Sequence, residues 1–342
     1  MGRGIKGVCG RDMLTNKRLL VTGGAGFMGS DFIRHVLLKT KFAGKIVNLD
    51  LLTYAGNLDN LTEVENDPRY TFVKGDVSDA KLIEELFIKH SFDMIVHFAA
   101  ETHVDRSIDQ PKTFIETNIL GTYTLLEALR RHRQIHLHLI STDEVYGDLP
   151  TREGTFTEQS PYAPSSPYAA SKAAADHLAL SYARTYDLSV TVSHASNNYG
   201  GHQHPEKLIP RMIQRCLTGE DLTVYGSGEQ VRDWLFVEDH SEAIYFILTR
   251  GKKGQVYNVG GENEKTNLEV IDHIIERLSE LQGTDPDIYR KRIIHVADRP
   301  GHDFRYAMDI AKIKKELGWI PKTDFDVGLK KAIVSVLQTA KV

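Results

Sequence analysis

The sequence predicts an α/β chain, a doubly wound parallel sheet with a smaller C-terminal lobe, and three observations carry that expectation. Short apolar, β-branched runs alternate with helix-length stretches over about the first 200 residues. A glycine triplet stands where the first such run gives way to the first helix. After about residue 200 the texture changes to loop-rich segments, GGHQHPEK, YGSGEQ, GGENEK and DRPGHD, set between short helices. At 342 residues the chain can form one large domain with an appended lobe and bury a substantial core.

In chain order, residues 1–16 (MGRGIKGVCGRDMLTN) are glycine-rich and basic and lack the apolar segment of a signal peptide, so they read as a flexible N-terminal extension, with Met13 a candidate alternative start. From Lys17 come the run RLLVTG, a helix through SDFIRHVLLK, and the run KIVNLD, the strand–helix–strand opening of a parallel sheet. YTFVKGD, DMIVHFAA, HLHLIST and SVTVSHAS follow as buried strands, separated by helices such as KLIEELFIKH and TNILGTYTLLEALRRH. Residues 17–200 thus read as one Rossmann-type domain. Residues 201–342 read mainly as a substrate-binding lobe, with some segments returning to the first domain.

Gly23, Gly26 and Gly29 in TGGAGFMG let the turn tighten, let the backbone approach a pyrophosphate, and let the helix pack on the sheet. The helix N-terminus then faces the phosphates. Asp50 closes the next strand about twenty residues on, where a carboxylate accepts from ribose hydroxyls. It would repel a 2′-phosphate, and Leu51 and Leu52 supply no arginine to bind one, so NAD is favoured over NADP. Asp76 after the third strand and Phe98, Ala99 and Ala100 after the fourth aim at the same crevice.

Tyr168 and Lys172 in YAASK stand four apart on one helix face, where an ammonium would favour the phenolate and hold a nicotinamide ribose. Elsewhere the same pair would be an exposed helical pair. Thr142, Asp143 and Glu144 leave the C-terminal edge of a buried strand, where open α/β sheets place their ligands. Two adjacent carboxyl groups push one pKa up, so that one serves as acid and the other as base. Standing alone, STDEV would be an ordinary acidic loop.

GGAGFMGS, LTYAGN, AAETHVDRS, ETNILGTY, STDEVYGDLP, APSSPYAASKAAADH, NNYG, HPEKLIP, VRDWLFVEDH, YNVGG and DRPGHDFRYAMD together resemble the dTDP-glucose 4,6-dehydratases, of the extended short-chain dehydrogenase/reductase type, over about residues 17–335. The resemblance implies that Tyr168 takes the sugar 4-hydroxyl proton, with Thr142 orienting that hydroxyl. Glu144 then removes the C5 proton and Asp143 protonates the departing 6-hydroxyl. It implies NAD contacts at Phe27, Met28, Thr53, Val77, Glu101, Thr117 and Asn198 beside those above. Thr102 is placed near the sugar, Asn197 at the diphosphate, and Lys207, Leu208, Thr223, Val224 and Tyr225 around the base. Arg232 and Asn267 are placed at the diphosphate, and Asp298, Arg299, Pro300, Gly301 and His302 at the nucleotide end. Arg232 suits phosphate by its planar fork, while a pairing with Asp233 is equally open. Gly201, His202, His204 and Thr223 depart from the family pattern at positions expected to border the base pocket. A UDP-glucose 4,6-dehydratase, a nucleotide-sugar 4-epimerase and a non-catalytic NAD-binding scaffold are the competing readings.

The formal charge of -4, from 42 basic and 46 acidic residues, shows no basic excess for nucleic acid or anionic membrane, and no run has the length of a membrane span. Cys9 and Cys216 are far apart, which fits a reducing cytoplasm. The pairs His136/His138 and His202/His204 have no further ligand at zinc-site spacing, so no metal is expected. Ala173–Ala175 could admit a close helix neighbour, and the resemblance suggests a homodimer.

Overall fold

The computed structural model describes residues 14–339, so Cys9, Met13 and most of the N-terminal extension lie outside the described residues. Leu14, assigned to the extension by pattern, is fully buried with Leu19, Phe42 and Ile46, so it belongs to the packed domain. Twelve strands follow among the described residues: β1 (Arg18–Thr22), β2 (Lys45–Asp50), β3 (Tyr70–Lys74), β4 (Met94–His97), β5 (His136–Thr142), β6 (Ser189–Ala195), β7 (Asn197–Tyr199), β8 (Leu222–Tyr225), β9 (Val231–Phe236), β10 (Val256–Val259), β11 (Glu264–Thr266) and β12 (Ile293–Val296). The six expected sheet runs are β1 to β6.

Seven strands form one parallel sheet in the order β10-β6-β5-β4-β1-β2-β3. Leu20 of β1 pairs with Val47 on one side and Ile95 on the other, and all three are buried. Burial on both faces is why β1 and β4 are near-continuous apolar runs, while β5 and β6 bury polar side chains such as His138, Thr191 and Ser193 among their apolar ones. Helices Ala80–His90, Gly121–Arg131 and Pro167–Tyr186 cover one face; Phe27–Lys39 and Val237–Arg250 cover the other. The chain reverses its winding between β1 and β4, which opens a crevice at the carboxyl ends of the strands.

β7, β9 and β11 make a second sheet and β8 pairs with β12. Around them, helices Leu208–Thr218, Asn267–Gln282 and Phe325–Thr339 enclose a separate core that includes Trp234, Ile271 and Phe325. Val237–Arg250, β10 and Ala311–Leu317 instead pack on the large sheet's side around Trp319. Among the described residues no helix is long and apolar enough to cross a membrane.

One irregularity matters for the site. Between Pro111–Phe114 and Gly121–Arg131 the helix runs through a π-helical stretch, Ile115–Leu120. Such a bulge re-aims side chains, and here it turns Asn118 inward. Asn118 Oδ1 accepts the Glu101 amide at 2.8 Å, and its Nδ2 donates to the Glu101 carbonyl at 3.0 Å and to Ser171 Oγ at 2.8 Å.

Candidate active site

A cleft of about 270 Å³ opens at the crevice and gathers the glycine turn, the strand ends and the carboxyl pair. From the expected cofactor set it is lined by Gly23, Gly26, Phe27, Met28, Gly29, Asp50, Leu51, Thr53, Asp76, Val77, Phe98, Ala99, Ala100, Glu101, Thr117, Tyr168 and Asn198. Thr102, Thr142, Asp143, Glu144, Asn197 and Lys207 line it as well. Leu52 takes a left-handed turn (φ 57°) and Lys172 lies behind the wall, so neither lines the cleft.

Gly23 has φ +70° and sits so close to β4's end that a Cβ would lie 2.5 Å from the Ala99 nitrogen. A Cβ on Gly29 would lie 2.3 Å from the Gly23 carbonyl oxygen, whereas one on Gly26 would meet only that oxygen, at 3.3 Å, and otherwise enter the cleft. Gly26 caps the helix Phe27–Lys39 without a side-chain bond, leaving first-turn amides for an anion. Asp50 accepts the Ala25 amide at 2.9 Å and the Leu52 amide at 2.8 Å, which ties the loop after β2 to the glycine turn. This cradle, with a carboxylate at its far end, fits an NAD dinucleotide.

On the opposite wall, Thr142 donates to Asp143 Oδ1 at 3.2 Å and accepts the Glu144 amide at 3.3 Å. Burial, reinforced by Glu144 and Asp233, holds the Asp143 carboxyl well above the ordinary range. Burial also raises Glu144, but Arg299, Arg232 and Lys207 oppose it with positive charge. Both carboxyls are therefore raised, where the sequence anticipated one, and the cations separate them: Asp143 is set up to carry a proton and Glu144 to release one.

Tyr168 differs from expectation too. Burial and the Glu144 charge push its phenol well above the ordinary value, while a hydrogen bond with Thr142 works the other way. Lys172 Nζ donates to the Ile140 carbonyl at 2.7 Å. Burial pulls it down to about 8, opposed by Asp176. In this arrangement the ammonium does not lower the phenol, because it is bonded to the strand beneath.

Asp176, one turn past Lys172, was not singled out, though its spacing from Tyr168 and Lys172 on the buried helix face could have signalled it. Its Oδ2 accepts from Ser141 Oγ at 2.7 Å and lies 3.1 Å from His194 Nε2. Asn258 Nδ2 donates to the Phe156 and Asp309 carbonyls, at 3.1 and 3.3 Å, which turns its Oδ1 to the Tyr146 hydroxyl at 2.8 Å. Tyr146 therefore accepts from His194 Nδ1 at 2.6 Å, and the Asp176–His194 pair also meets the Tyr162 hydroxyl, 3.3 Å from Oδ2 and 2.9 Å from Nε2. This pair ties the Tyr168 helix to both ends of the Thr142–Glu144 segment, through Ser141 and Tyr146. At the cleft mouth, Arg106 stacks 3.7 Å over the Tyr54 ring and lies 3.6 Å from Glu206, a bridge between lobes that no motif announced.

The expected nucleotide residues divide. Lys207 donates to the Thr102 carbonyl at 3.0 Å within the cleft. Tyr225, Asp298, Arg299 and His302 form a separate group: Tyr225 and Arg299 approach Asp105 at 3.5 and 3.7 Å, and His302 bonds Asp298 at 2.6 Å, beside Pro300 and the turn at Gly301. Arg232 is buried, donating to the carbonyls of Val231, Phe304 and Asp303 at 2.7, 3.2 and 2.9 Å, with its face 4.3 Å over Tyr306. Asp233 instead accepts the Gly261 and Asn263 amides at 2.8 and 2.7 Å, so the alternative pairing with Arg232 is not formed. Val224 and Leu208 pack in the C-terminal core, Thr223 Oγ1 accepts from Arg215 at 2.5 Å, and Asn267 opens a helix with its amide on Gln230.

Gly201 and His202 do not border this site. They line a second cleft of about 680 Å³ with Asp31, Arg34 and Lys331. The loop turns away because His202 adopts φ 64° after Gly201. His204 stays, edge-on to Tyr54 at 5.3 Å. His136 and His138 bond hydroxyls of Ser189, Thr191 and Ser193, as local packing requires.

A glycine cradle at a sheet's switch point, faced by a tyrosine-bearing helix and a strand-end carboxyl pair, defines a nucleotide-cofactor enzyme of the extended short-chain dehydrogenase class. The chain belongs to the family described as GDP-mannose 4,6 dehydratase, which matches residues 20–332. It is 52% identical to the dTDP-glucose 4,6-dehydratase of Neisseria gonorrhoeae over 329 residues, 93% of this chain and 94% of that one. A crystal structure of dTDP-glucose 4,6-dehydratase from Bacillus anthracis in complex with NAD has a TM-score of 0.85 at 45% identity, covering 95% of this chain and 98% of that one. A UDP-glucose 4-epimerase from Thermotoga maritima shares the fold at 28% identity and TM-score 0.84, covering 94% and 99%.

Proposed function

We propose that this chain converts dTDP-glucose to dTDP-4-keto-6-deoxyglucose and water, with NAD as a resident cofactor. The observation that carries this reading is the carboxyl pair Asp143 and Glu144 in the same cleft as Tyr168 and the glycine cradle; the near-50% identity to dTDP-glucose 4,6-dehydratases supports the sugar nucleotide. An epimerase needs only the oxidation base, whereas elimination needs an acid and a base besides it.

When bound, NAD supplies a reversible acceptor for the electrons taken from C4 and returned at C6. Tyr168 takes the 4-hydroxyl proton while Thr142 orients that hydroxyl. Because burial and Glu144 hold the phenol high, Tyr168 needs positive charge beside it to act as base. Glu144 then takes the C5 proton, made acidic by the 4-keto group. Asp143 protonates the departing 6-hydroxyl, water leaves, and Glu144 returns a proton to C5. Arg232, Lys207 and the Asp298–His302 loop bind the nucleotide end, so residues from about 201 onward supply the substrate side.

We further propose a homodimer and a cytoplasmic setting. Ala173 and Ala175 are buried inside the chain and offer no docking face, but Ile115, Leu120 and Tyr123 on the preceding helical segment are exposed. The test of the catalytic assignment is Asp143→Asn and Glu144→Gln. Each should still reduce bound cofactor on adding dTDP-glucose but lose dehydration by about 10²–10⁴-fold; unchanged product formation would overturn it.

A further inference from the structure

The proposed reaction returns at C6 the electrons it takes at C4, so nothing in the chemistry requires the cofactor to leave between turnovers. The glycine turn and Asp50 supply one side of the cleft. A different group of side chains crosses its mouth, and none of them belongs to the catalytic or nucleotide-binding residues above. Two loops line the cleft: Thr53, Ala55 and Gly56 after β2, and Gln203, His204 and Lys207 before the helix Leu208–Thr218. Tyr54 sits within the first loop and Glu206 within the second.

Resting on the reading of this cleft as an NAD site, we propose that Tyr54, Arg106 and Glu206 form a strap across its mouth, which must part for the cofactor to leave and which sets how long NAD stays bound. The Tyr54 hydroxyl donates to Glu206 Oε1 at 3.1 Å. Arg106, on the short helix Val104–Asp109, stacks 3.7 Å over the Tyr54 ring and reaches to 3.6 Å from Glu206 Oε2. His103 Nδ1 accepts the Arg106 amide at 3.4 Å, which turns Nε2, as the protonated nitrogen, to the same carboxylate oxygen at 3.7 Å. Next to Glu206, Lys207 Nζ bonds the Thr102 carbonyl at 3.0 Å, which anchors the second loop to the segment that carries Arg106.

Burial places the strap on the solvent side of the cleft. The Glu206 side chain is 9% exposed and lines the cleft, whereas the Arg106 side chain is 50% exposed and Tyr54 36%. The first loop is pinned at its base to the cradle: the Leu52 amide bonds Asp50 Oδ1 at 2.8 Å, and the Asn57 amide bonds the Ala25 carbonyl at 3.0 Å. The loop therefore stays with the glycine turn while its Tyr54 tip reaches across. Burial and the Glu206 charge raise the Tyr54 phenol above its ordinary value, so it remains a donor throughout the neutral range.

Exchange of bound NAD for isotopically labelled NAD in the purified holoenzyme, followed by mass, tests this. Tyr54→Phe keeps the ring under Arg106 but loses the bond to Glu206, and should release NAD about 10-fold faster than wild type. Tyr54→Ala also loses the stacking and should release it about 2- to 5-fold faster again. Because Tyr54 and Glu206 act through one bond, the double variant Tyr54→Phe with Glu206→Ala should release NAD no faster than Glu206→Ala alone, where separate structural effects would multiply. An unchanged rate in Tyr54→Phe, or multiplying effects in the double variant, would overturn the strap. Wild-type protein that carries no NAD and takes none up would instead overturn the reading of the cleft as a cofactor site.

Discussion

Replacing Gly23 by alanine strikes the cradle where the structure leaves least room. An L-residue at φ +70° costs about 1–2 kcal/mol. The new Cβ would also lie 2.5, 2.7 and 2.9 Å from backbone atoms of Ala99 and Phe98, which cannot rotate aside. Overpacking of this kind costs about 1–3 kcal/mol. β1 and β4 are locked by parallel pairing, so the turn must shift rather than the sheet, and the combined ~2–5 kcal/mol falls largely on the cofactor. At about 1.4 kcal/mol per tenfold, NAD affinity should drop by about 30-fold to a few thousand-fold. Calorimetric titration of NAD into cofactor-stripped protein reads this, alongside Gly26→Ala. The Gly26 methyl meets only one oxygen at 3.3 Å, so that variant should melt like wild type yet bind NAD poorly. Gly23→Ala with wild-type NAD affinity would refute the reasoning.

Asp176→Asn should destabilise the fold by about 3–5 kcal/mol, because it breaks a buried hydrogen-bonded pair, and adding His194→Gln should recover part of the loss; strictly additive urea-denaturation losses would contradict the coupling of the two side chains. Burial holds His97 and His240 at about 3 and His136 at about 4, below the ordinary 6.5. The unfolded chain therefore binds protons that the folded chain refuses, and stability is full above pH 6.5 and lost as pH falls toward those values. The slope is up to about 1.4 kcal/mol per pH unit for each group, visible as a melting temperature that declines from neutral pH to about 4.5; a flat profile would count against it. Arg232→Lys keeps the charge but not the fork, so KM for dTDP-glucose should rise about 10- to 100-fold with kcat little changed, and a kcat loss alone would move Arg232 out of the binding role.

Much of the framework was legible because it follows from local chemistry. Strands buried on both faces such as β1 read as apolar runs, and the tight approach of Gly23 to Ala99 admits only glycine. The Thr142–Asp143–Glu144 segment could be read because it leaves a strand end. Other features depend on distant contacts. The π-helical turn that aims Asn118 has no local pattern of its own. Lys172 bonds the Ile140 carbonyl rather than the phenol, which follows from how the helix seats on β5. Gly201 and His202 were expected at the base pocket, and the left-handed turn at His202 sends them to the opposite cleft. The Asp176–His194 pair joins the Tyr168 helix and β6 and appears only when they pack.

The most direct test of the central claim is turnover of purified protein on dTDP-glucose and UDP-glucose side by side, with no NAD added, scored by mass for loss of water. Water loss from dTDP-glucose, sustained over many turnovers, is the predicted result. Conversion of neither sugar in protein that still carries NAD, or an epimerised sugar of unchanged mass, would contradict it.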